Sequence, residues 1–377
     1  MESESVIYSI ATKIGSSGLG TVSYNAIMAL NEKNLLKLAV SYANRSDVPR
    51  SKILTLKGNP AKLLFFLSRR YYRPLRKVYF DYVTSKIILK RGCKVFHGWN
   101  SQSLRSLKAA KSIGAKTILE RGSTYMTYKD ELIANEYSRF GIKKAKSPEY
   151  YRKASIEELS LADFIFLPSE YAKNTFIRAG ISPEKLFIIE RGADLNRFRP
   201  GNPDEKIFRV LFVGRVSLRK GVQYLLEAWE SLKLKNAELI IAGAIDDTIK
   251  SVISKYSSNS SIKFTGFLKD SSPVYRNAHI FVFPSLEEGS AKVTFEAMAS
   301  GLPVITTENS GSLIRDSLDG FIIPAGESSL LKEKILYFYE NRETVEIMGG
   351  NALERVKPYT WERYRQKLQR TYEHLFA

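Results

Sequence analysis

The sequence predicts an α/β protein built from two doubly wound, parallel-sheet, Rossmann-like domains that face a central cleft. The chain has 377 residues, more than a single hydrophobic core usually supports. Short runs rich in Val, Ile, Leu and Phe alternate with helix-length amphipathic segments. Continuously apolar runs are typical of strands buried on both faces of a parallel sheet. The runs form two sets, separated by a Pro- and Gly-containing stretch at 196–207.

Each half of the chain carries six predicted strands. Those of the first half are residues 6–11, 37–43, 94–99, 116–122, 163–169 and 186–192, and those of the second half are 209–215, 237–244, 262–268, 280–285, 303–307 and 320–324. The predicted domains are therefore 1–200 and 201–357. Because open parallel sheets bind ligands beyond the carboxyl ends of their strands, the cleft between the domains is the expected site.

Positive charge is concentrated in the first half of the chain. The net charge is +19; residues 1–200 contain 35 Lys and Arg against 17 Asp and Glu, a balance of +18, whereas the second half has 23 against 22. Between Arg50 and Lys94, thirteen basic residues accompany one acid, Asp81. We therefore expect a polyanionic partner that contacts the N-terminal half, with anionic lipid and nucleic acid as the candidates.

The remaining composition favours a cytoplasmic protein. A single cysteine, Cys93, cannot form an intramolecular disulfide, which fits a reducing compartment. The opening MESESVIYSI carries acids where a signal peptide carries bases, and no apolar run approaches the ~20 residues of a membrane span. One cysteine and three scattered histidines do not predict a zinc site. We expect no metal cofactor, and a protein that is in solution or on a membrane surface.

The segment VGRVSLRKGVQYLLEAWESL, residues 213–232, places two cations where a predicted strand gives way to a helix. Arg215 follows the strand and Lys220 precedes the helix. Because a helix N-terminus favours anions, the two cations predict a polyphosphate site, with a solvated basic loop as the alternative.

The stretch SLEEGSAKVTFEAMASGLPVITT, residues 285–307, carries two glutamates separated by seven residues. Glu288 lies in the loop after a predicted strand, and Glu296 lies inside the next predicted helix. Each also has a structural interpretation, Glu288 as a solvated loop acid and Glu296 as a surface pair with Lys292. A glycine after Glu288 would let the backbone approach a ligand closely. The amides expected to point into the cleft are those of Gly289, Ser290, Ala291 and Lys292.

Two features of the first half are candidates for ligand contact. The loop IGSSGLG, residues 14–20, has the spacing G-x-x-G-x-G and not the dinucleotide spacing G-x-G-x-x-G. Gly18 in this loop is expected to lie against phosphates or a sugar, or simply to form a tight turn. His97 ends the predicted strand KVFH and would touch substrate if its side chain faces the cleft.

The segment NPAKLLFFLSRRYYRPLRKVYFDYVTSK, residues 59–86, interleaves basic and aromatic residues. This pattern suits an interfacial helix on anionic lipid, and it also suits RNA. The structural alternative is an apolar face in the core with solvated bases outside. The predicted anionic-partner surface consists of Arg69, Arg70, Arg73, Arg76 and Lys77.

Taken together and in this order, the segments resemble the retaining family 4 glycosyltransferases of the GT-B architecture. GRVSLRKGVQYLLEAW looks like the family's donor diphosphate segment, and EGSAKVTFEAMASGLPVI looks like its E-x7-E segment. YTWERYRQKLQRTYEHL is similar to the C-terminal helix that crosses back onto the first domain. The likeness covers nearly the whole chain and implies that residues 358–377 pack on domain 1–200.

The resemblance implies a role for each matched residue. Arg215 and Lys220 would hold the donor diphosphate and neutralise the leaving group. Glu288 would contact sugar hydroxyls, and the amides after it would contact the sugar and phosphate. Glu296 would accept hydrogen bonds from the nucleotide ribose. Gly18 would lie near the phosphates. The family needs no metal and usually takes a nucleotide sugar.

One departure from the family concerns the acceptor side. The segment ILERGST places Arg121 where many members have a histidine. Arg121 is therefore either a further donor or acceptor contact, or a sign that the histidine role is missing.

The resemblance thus implies a retaining, hexosyl-type glycosyltransferase that uses a UDP- or GDP-linked sugar. The expected acceptor is a lipid-linked or cell-envelope glycan, at the cytoplasmic face of a membrane. One alternative is a soluble glycosyltransferase that makes a polysaccharide or small glycoside. A third is a non-catalytic nucleic-acid-binding protein. The neutral second half argues against nucleic acid as the partner. A duplex that lies across the cleft should contact basic residues of both domains.

Overall fold

The structure is a computed structural model that describes residues 4–56, 69–143 and 146–376; the side chains of residues 69–73 lie outside the description. Two parallel sheets organise these residues. Each sheet has helices on its faces, and each forms its own domain. The predicted fold class is therefore confirmed.

The first sheet has the strand order β3-β2-β1-β4-β5-β6-β7, and every pair is parallel. Its strands are β1 (Val6–Ile14), β2 (Leu36–Asn44), β3 (Ile53–Thr55), β4 (Val95–Trp99), β5 (Lys116–Glu120), β6 (Phe164–Leu167) and β7 (Leu186–Ile188). The order reverses between β1 and β4, which is the point where ligands bind in such sheets.

The second sheet has the order β10-β9-β8-β11-β12-β13 and is also parallel throughout. Its strands are β8 (Phe208–Val213), β9 (Ala237–Ala242), β10 (Ile262–Gly266), β11 (Ile280–Phe283), β12 (Val304–Thr307) and β13 (Gly320–Ile323). The reversal lies between β8 and β11, so the loops after these two strands occupy the equivalent point of the second domain.

Helices cover both sheets. In the described residues they are α1 (Leu19–Glu32), α2 (Arg69–Arg91), α3 (Leu104–Ser112), α4 (Met126–Arg139), α5 (Glu149–Leu161), α6 (Glu170–Arg178), α7 (Val222–Leu232), α8 (Lys250–Ile253), α9 (Ser272–Arg276), α10 (Lys292–Ala299), α11 (Ser328–Glu340), α12 (Arg342–Val356) and α13 (Trp361–Phe376). No helix of the described ranges is long and apolar enough to cross a bilayer.

The twelve predicted strands all overlap observed ones, while β3 was not predicted. Most of the predicted strands are continuous apolar runs, and most are largely buried in the sheets. In contrast, β3 has three residues, none of them fully buried, at the edge of its sheet. So short and half-exposed a strand leaves no distinctive apolar pattern.

Two packed helices join the domains. The last helix, α13, returns to the first domain, where Tyr364, Leu368 and Tyr372 join the core beside α1. Helix α4 of the first domain instead packs Ile133 and Tyr137 into the hydrophobic core of the second. The two sheets are therefore tied together by packed helices as well as by the chain.

Candidate donor and acceptor site

The two predicted segments of the second domain meet at the carboxyl ends of β8 and β11. The loop after β8 contains Arg215 and a short turn, Leu218–Lys220, before α7 begins. Leu286 donates its backbone N–H to the carbonyl of Arg219 at 3.0 Å, which fixes one loop on the other. We call loops 214–221 and 284–291 together the second-domain edge.

Gly221 is required where these two loops touch. Its φ is +71°, in the left-handed region, and a Cβ on it would lie 1.8 Å from the carbonyl oxygen of Pro284. Any other residue would force the loops apart. The glycine therefore brings Lys220 next to the loop that carries the glutamates.

Lys220 and Glu288 form an ion pair, which the sequence did not predict. The Nη1 atom of Arg219 lies 3.1 Å from the Oε1 atom of Glu288, so two cations share this carboxylate. Only 12% of the Lys220 side chain is exposed. Burial lowers the pKa of Lys220 well below its usual value, and the charge of Arg219 adds to that effect. An additional anion in the site would therefore stabilise the charged form of Lys220.

Arg215 stands more openly at the same edge. Its side chain is 66% exposed, and its Nη1 atom lies 3.8 Å from the Oδ2 atom of Asp246. An exposed guanidinium held this loosely can turn toward a ligand at little cost. Its assignment to a donor diphosphate stays a prediction.

Glu296 is buried on the first turns of α10. Its Oε1 atom lies 2.9 Å from the Nζ atom of Lys292, and its Oε2 atom accepts from the hydroxyl of Tyr275 at 3.2 Å. The side chain is only 8% exposed. The structural alternative, a surface pair with Lys292, therefore names the right partner, but the carboxylate is buried and not on the surface. The ribose contact stays a prediction.

The amides after Glu288 do not all face a ligand. The N–H of Ala291 donates to the carbonyl of Ser310 at 2.9 Å, which corrects the expectation that it binds sugar or phosphate. Gly289 approaches the first domain closely, since a Cβ on it would lie 2.5 Å from the carbonyl oxygen of Gly122. The side chain of Ser290 is buried, and the roles of the amides of Gly289, Ser290 and Lys292 stay predictions.

The first domain contributes a cavity of about 300 Å³, which we call the first-domain cavity. Its lining combines cations, acids, amides, hydroxyls and a tryptophan: Leu19, Lys77, Trp99, Asn100, Ser101, Gln102, Glu120, Arg121, Gly122, Ser123, Met126, Lys129, Asp130, Ser147 and Tyr151. Side chains that both donate and accept, beside an indole ring, suit a polyhydroxyl ligand.

Arg121 lies in this cavity with most of its guanidinium already bonded. Its Nη1 atom donates to the Oδ1 atom of Asn100 at 2.8 Å, and its Nη2 atom donates to the carbonyl of Thr124 at 3.0 Å. Burial lowers the pKa of Arg121, which the nearby Glu287 carboxylate partly offsets. Arg121 shapes the cavity wall, and its contact with a substrate stays a prediction.

His97 lies in the core and not at the cleft. The prediction that it touches the substrate is therefore wrong. The side chain is fully buried, and Nδ1 lies 2.7 Å from the hydroxyl of Tyr372 in α13. The Tyr8 ring packs edge-on against the imidazole, with centroids 4.8 Å apart. Helix α13 thus covers the histidine.

Gly18 opens α1 beside the first-domain cavity. Its φ is +70°, and a Cβ on it would meet no atom within 4 Å, so the backbone conformation and not crowding favours glycine here. The next residue, Leu19, lines the cavity. The phosphate contact of Gly18 stays a prediction.

The predicted anionic-partner surface is only partly described. The side chains of Arg69, Arg70 and Arg73 lie outside the described residues, although their backbone belongs to α2. Arg76 packs its guanidinium over the ring of Tyr42 at 3.9 Å. Lys77 donates to the hydroxyl of Tyr151 at 2.7 Å and lines the first-domain cavity, so this lysine belongs to the site and not to an outer surface.

A second, larger cavity of about 620 Å³ lies at the opposite edge of the second sheet. It is lined by the interdomain linker near Pro200 and Pro203, by His279 before β11 and by Leu302 before β12. These residues precede the strands, whereas parallel sheets bind ligands after their strands. Size alone therefore does not make this cavity the site.

Sequence reasoning missed a buried acid at the point where the two domains touch. Glu287 directly precedes Glu288 in the sequence, and its side chain is fully buried. It contacts Ser123 and Lys129 of the first-domain cavity and Arg219 of the second-domain edge. The doubled acid in SLEEGS was the only available signal, and nothing in it distinguishes a buried partner from a solvated one.

Fold and site together define a class: two Rossmann-like domains with a cation-rich strand edge facing a polar cavity, which is the GT-B architecture. Residues 207–341 match the family model described as glycosyl transferases group 1. The resemblance to glycosyltransferases of this group is therefore confirmed by the family match and by the fold.

Known proteins agree with this assignment. The chain is 25% identical over 239 residues to the capsular polysaccharide biosynthesis glycosyltransferase CapM of Staphylococcus aureus, covering 57% of this chain and 63% of CapM, less than two thirds of that relative. Among solved structures, sucrose-phosphate synthase from Thermosynechococcus elongatus superposes with a TM-score of 0.78 at 18% identity, over 99% of both chains. Anabaena HepE in complex with UDP has a TM-score of 0.73 at 16% identity, over 98% of this chain and all of HepE. At these identities the structural likeness establishes the fold.

Proposed function

We propose that this protein is a glycosyltransferase that moves a hexosyl group from a UDP- or GDP-sugar to an acceptor hydroxyl with retention of configuration. One observation carries the proposal: Lys220 from the turn after β8 pairs with Glu288 from the loop after β11. The two halves of a donor site, predicted separately from two segments, thus lie in direct contact.

The leaving group explains why cations gather at the second-domain edge. Transfer breaks the bond between the sugar C1 and a β-phosphate oxygen, and the electron pair leaves with the nucleoside diphosphate. Lys220 and Arg219 would stabilise that developing charge as cations held in position, and the more exposed Arg215 would turn toward it. The side chains present therefore fit a reaction without a metal, which remains our expectation.

Donor binding would exchange one set of contacts for another. The diphosphate replaces Glu288 as the partner of Lys220, and the freed carboxylate accepts hydrogen bonds from sugar hydroxyls. Glu296, on the helix that follows, would accept from the ribose. The acceptor hydroxyl then attacks C1 from the face that the diphosphate leaves, and its proton passes to a phosphate oxygen.

The first-domain cavity supports a glycan as the acceptor. Hydroxyl groups of a sugar both donate and accept, which matches the alternating amides, hydroxyls and charged groups around Trp99. The name of CapM places that relative in capsular polysaccharide biosynthesis, and an envelope glycan is the corresponding acceptor here. The balance of +18 in the first half favours a site of action on an anionic cytoplasmic membrane face.

The test is release of nucleoside diphosphate from a panel of UDP- and GDP-sugars. A thermal-shift screen selects the donors that bind, and product NMR then reports the anomeric configuration. We expect release from at least one donor and a product with the configuration of the donor. An inverted product would contradict the retaining mechanism, and a panel with neither binding nor release would contradict the donor assignment.

A further inference from the structure

Glu287 is a fully buried carboxylate whose partners come from both domains. Its Oε1 atom accepts from the hydroxyls of Ser123 and Thr124, each at 2.7 Å, and from the backbone N–H of Thr124 at 3.2 Å. Its Oε2 atom lies 3.1 Å from Nη1 of Arg219 and 4.0 Å from Nζ of Lys129. First-domain groups thus contact both oxygens, and a second-domain cation contacts one.

The charge of Glu287 is held in place by these partners. Burial by itself would raise its pKa, but Lys129 and Arg219, with the hydroxyls of Ser123 and Thr124, lower the pKa to about 2. The carboxylate is therefore ionised throughout the neutral range. A buried charge is tolerated only while all its partners stay in position, so the group resists displacement of either domain.

The backbone around Glu287 is equally close to the first domain. The hydroxyl of Ser169 donates to the carbonyl of Gly289 at 2.5 Å. The approach of Gly289 to Gly122 leaves no room for a side chain. Loop 122–124 is thus held against the loop that carries Glu288.

The same contacts connect the two proposed substrate sites. Ser123 and Lys129 line the first-domain cavity, whereas Arg219 also contacts Glu288, the partner of Lys220. One carboxylate therefore lies between the wall of the proposed acceptor site and the cations of the proposed donor site.

We propose that Glu287 is a positioning residue that fixes the acceptor wall, Ser123 to Lys129, at the distance from the donor cations that transfer requires. This inference rests on the proposed function for its kinetic part. Glu287 itself touches neither substrate. It acts through Ser123, Lys129 and Arg219, and a nucleoside diphosphate can still bind at the second-domain edge without it.

A separate contact provides an internal reference. Glu136 on α4 accepts from the side-chain amide of Gln223 at 2.7 Å and from the hydroxyl of Tyr224 at 2.8 Å. This second link between the domains shares no partner with Glu287. Loss of Glu287 should therefore loosen loop 122–124 and leave the packing of α4 on α7 intact.

The test uses Glu287→Gln in the full chain, with Glu340→Gln as the control, since Glu340 is an exposed acid at the end of α11. Hydrogen exchange, titration with UDP or GDP, and transfer kinetics are measured for each. In Glu287→Gln we expect faster exchange of the peptide containing Thr124 but not of the peptide containing Glu136. Transfer should fall on the order of 100-fold, as for a buried charge pair that loses one partner, while nucleotide affinity falls much less, because Lys220 and Glu288 keep their own contact.

Every outcome decides the proposal. Unchanged exchange at Thr124, or transfer equal to that of Glu340→Gln, overturns it. A nucleotide affinity that falls as far as transfer also overturns it, because Glu287 would then support the donor loop alone. If Glu287→Gln does not fold, Thr124→Val removes one hydroxyl from the other side and should give the same pattern, more weakly. If the wild-type protein turns over no nucleotide sugar, the proposed function fails, and the exchange data still decide the positioning role.

Discussion

The second-domain edge and the first-domain cavity hold their charges in different ways. At the edge, Lys220 and Arg219 pair directly with Glu288. In the cavity, Arg121 and Lys77 are held mainly by uncharged groups, the carbonyl of Thr124 and the hydroxyl of Tyr151. Direct ion pairs can be exchanged for a charged ligand, whereas cations bonded to neutral groups keep their positions. The edge thus suits a diphosphate, and the cavity suits a ligand recognised by shape and hydroxyl groups.

The largest effect is expected when a cation is removed from the second-domain edge. Lys220→Ala should reduce transfer on the order of 1,000-fold, because a fixed charge aimed at the leaving group contributes to the transition state. Steady-state release of nucleoside diphosphate measures it. Lys255→Ala, which removes an exposed lysine of the same domain, is the matched control. Equal rates for the two variants would remove Lys220 from the donor site.

The next effect concerns the basic helix next to the cavity. Changing the three arginines at 69, 70 and 73 to Gln should weaken binding to anionic vesicles on the order of 100-fold at low salt, since each base near such a surface contributes about 1 kcal/mol. Vesicle co-sedimentation at two salt concentrations measures it. The control changes three exposed lysines of the second domain, Lys255, Lys263 and Lys269. If both triple variants bind equally, the soluble glycosyltransferase is the better description.

A smaller effect is expected at the opposite edge of the second sheet, where His279 should make the stability of the fold depend on pH. Burial, together with the charges of Arg342 and Arg209, lowers the pKa of His279 to about 4 from its usual 6.5. As pH falls from 6.5 to 4, the unfolded chain takes up a proton that the folded chain does not, so stability is lost in that window. With allowance for partial solvent screening, the loss is about 2 kcal/mol.

His279→Asn tests this histidine without removing its contact. The asparagine Oδ1 can replace Nδ1 as acceptor of the Arg209 N–H, now 3.0 Å away, but it does not titrate. Urea unfolding from pH 4 to 8 should show a wild-type decline below pH 6.5 that is smaller in the variant. Parallel curves would contradict the assigned pKa. Turnover at pH 7 should be unchanged, because His279 lies at the edge opposite the proposed donor site.

The smallest effect sharpens the assignment of the cavity. Lys77→Ala should raise the KM for the acceptor about tenfold, the usual loss for one hydrogen bond to a charged group. The KM for the donor should not change. Initial rates with each substrate varied in turn measure both. If the KM for the donor rises instead, Lys77 contacts the donor, and its assignment to the acceptor site is wrong.

The fold and the second-domain edge were predictable because their signals are local. Buried parallel strands have continuous apolar sequences, which can be recognised directly. Lys220 and Glu288 each lie in the loop that follows such a strand. Their meeting follows from adjacent strands of one sheet.

The rest of the site depends on distant parts of the chain. Lys77, Asn100, Arg121 and Tyr151 reach one cavity from four segments, and no spacing rule joins them. His97 lies in the middle of β4 and not at its end, and the return of α13 buries it. Glu287 acquires its first-domain partners, Ser123, Thr124 and Lys129, only when the domains come together.

The central claim is that the edge binds the nucleotide and the cavity does not. Calorimetric titration of UDP and GDP into the wild-type protein, Lys220→Ala and Lys77→Ala tests it most directly. The account predicts saturable binding of at least one nucleotide by the wild-type protein, binding weakened on the order of tenfold or more in Lys220→Ala, and unchanged binding in Lys77→Ala. Equal weakening in both variants, or no weakening in Lys220→Ala, would contradict it.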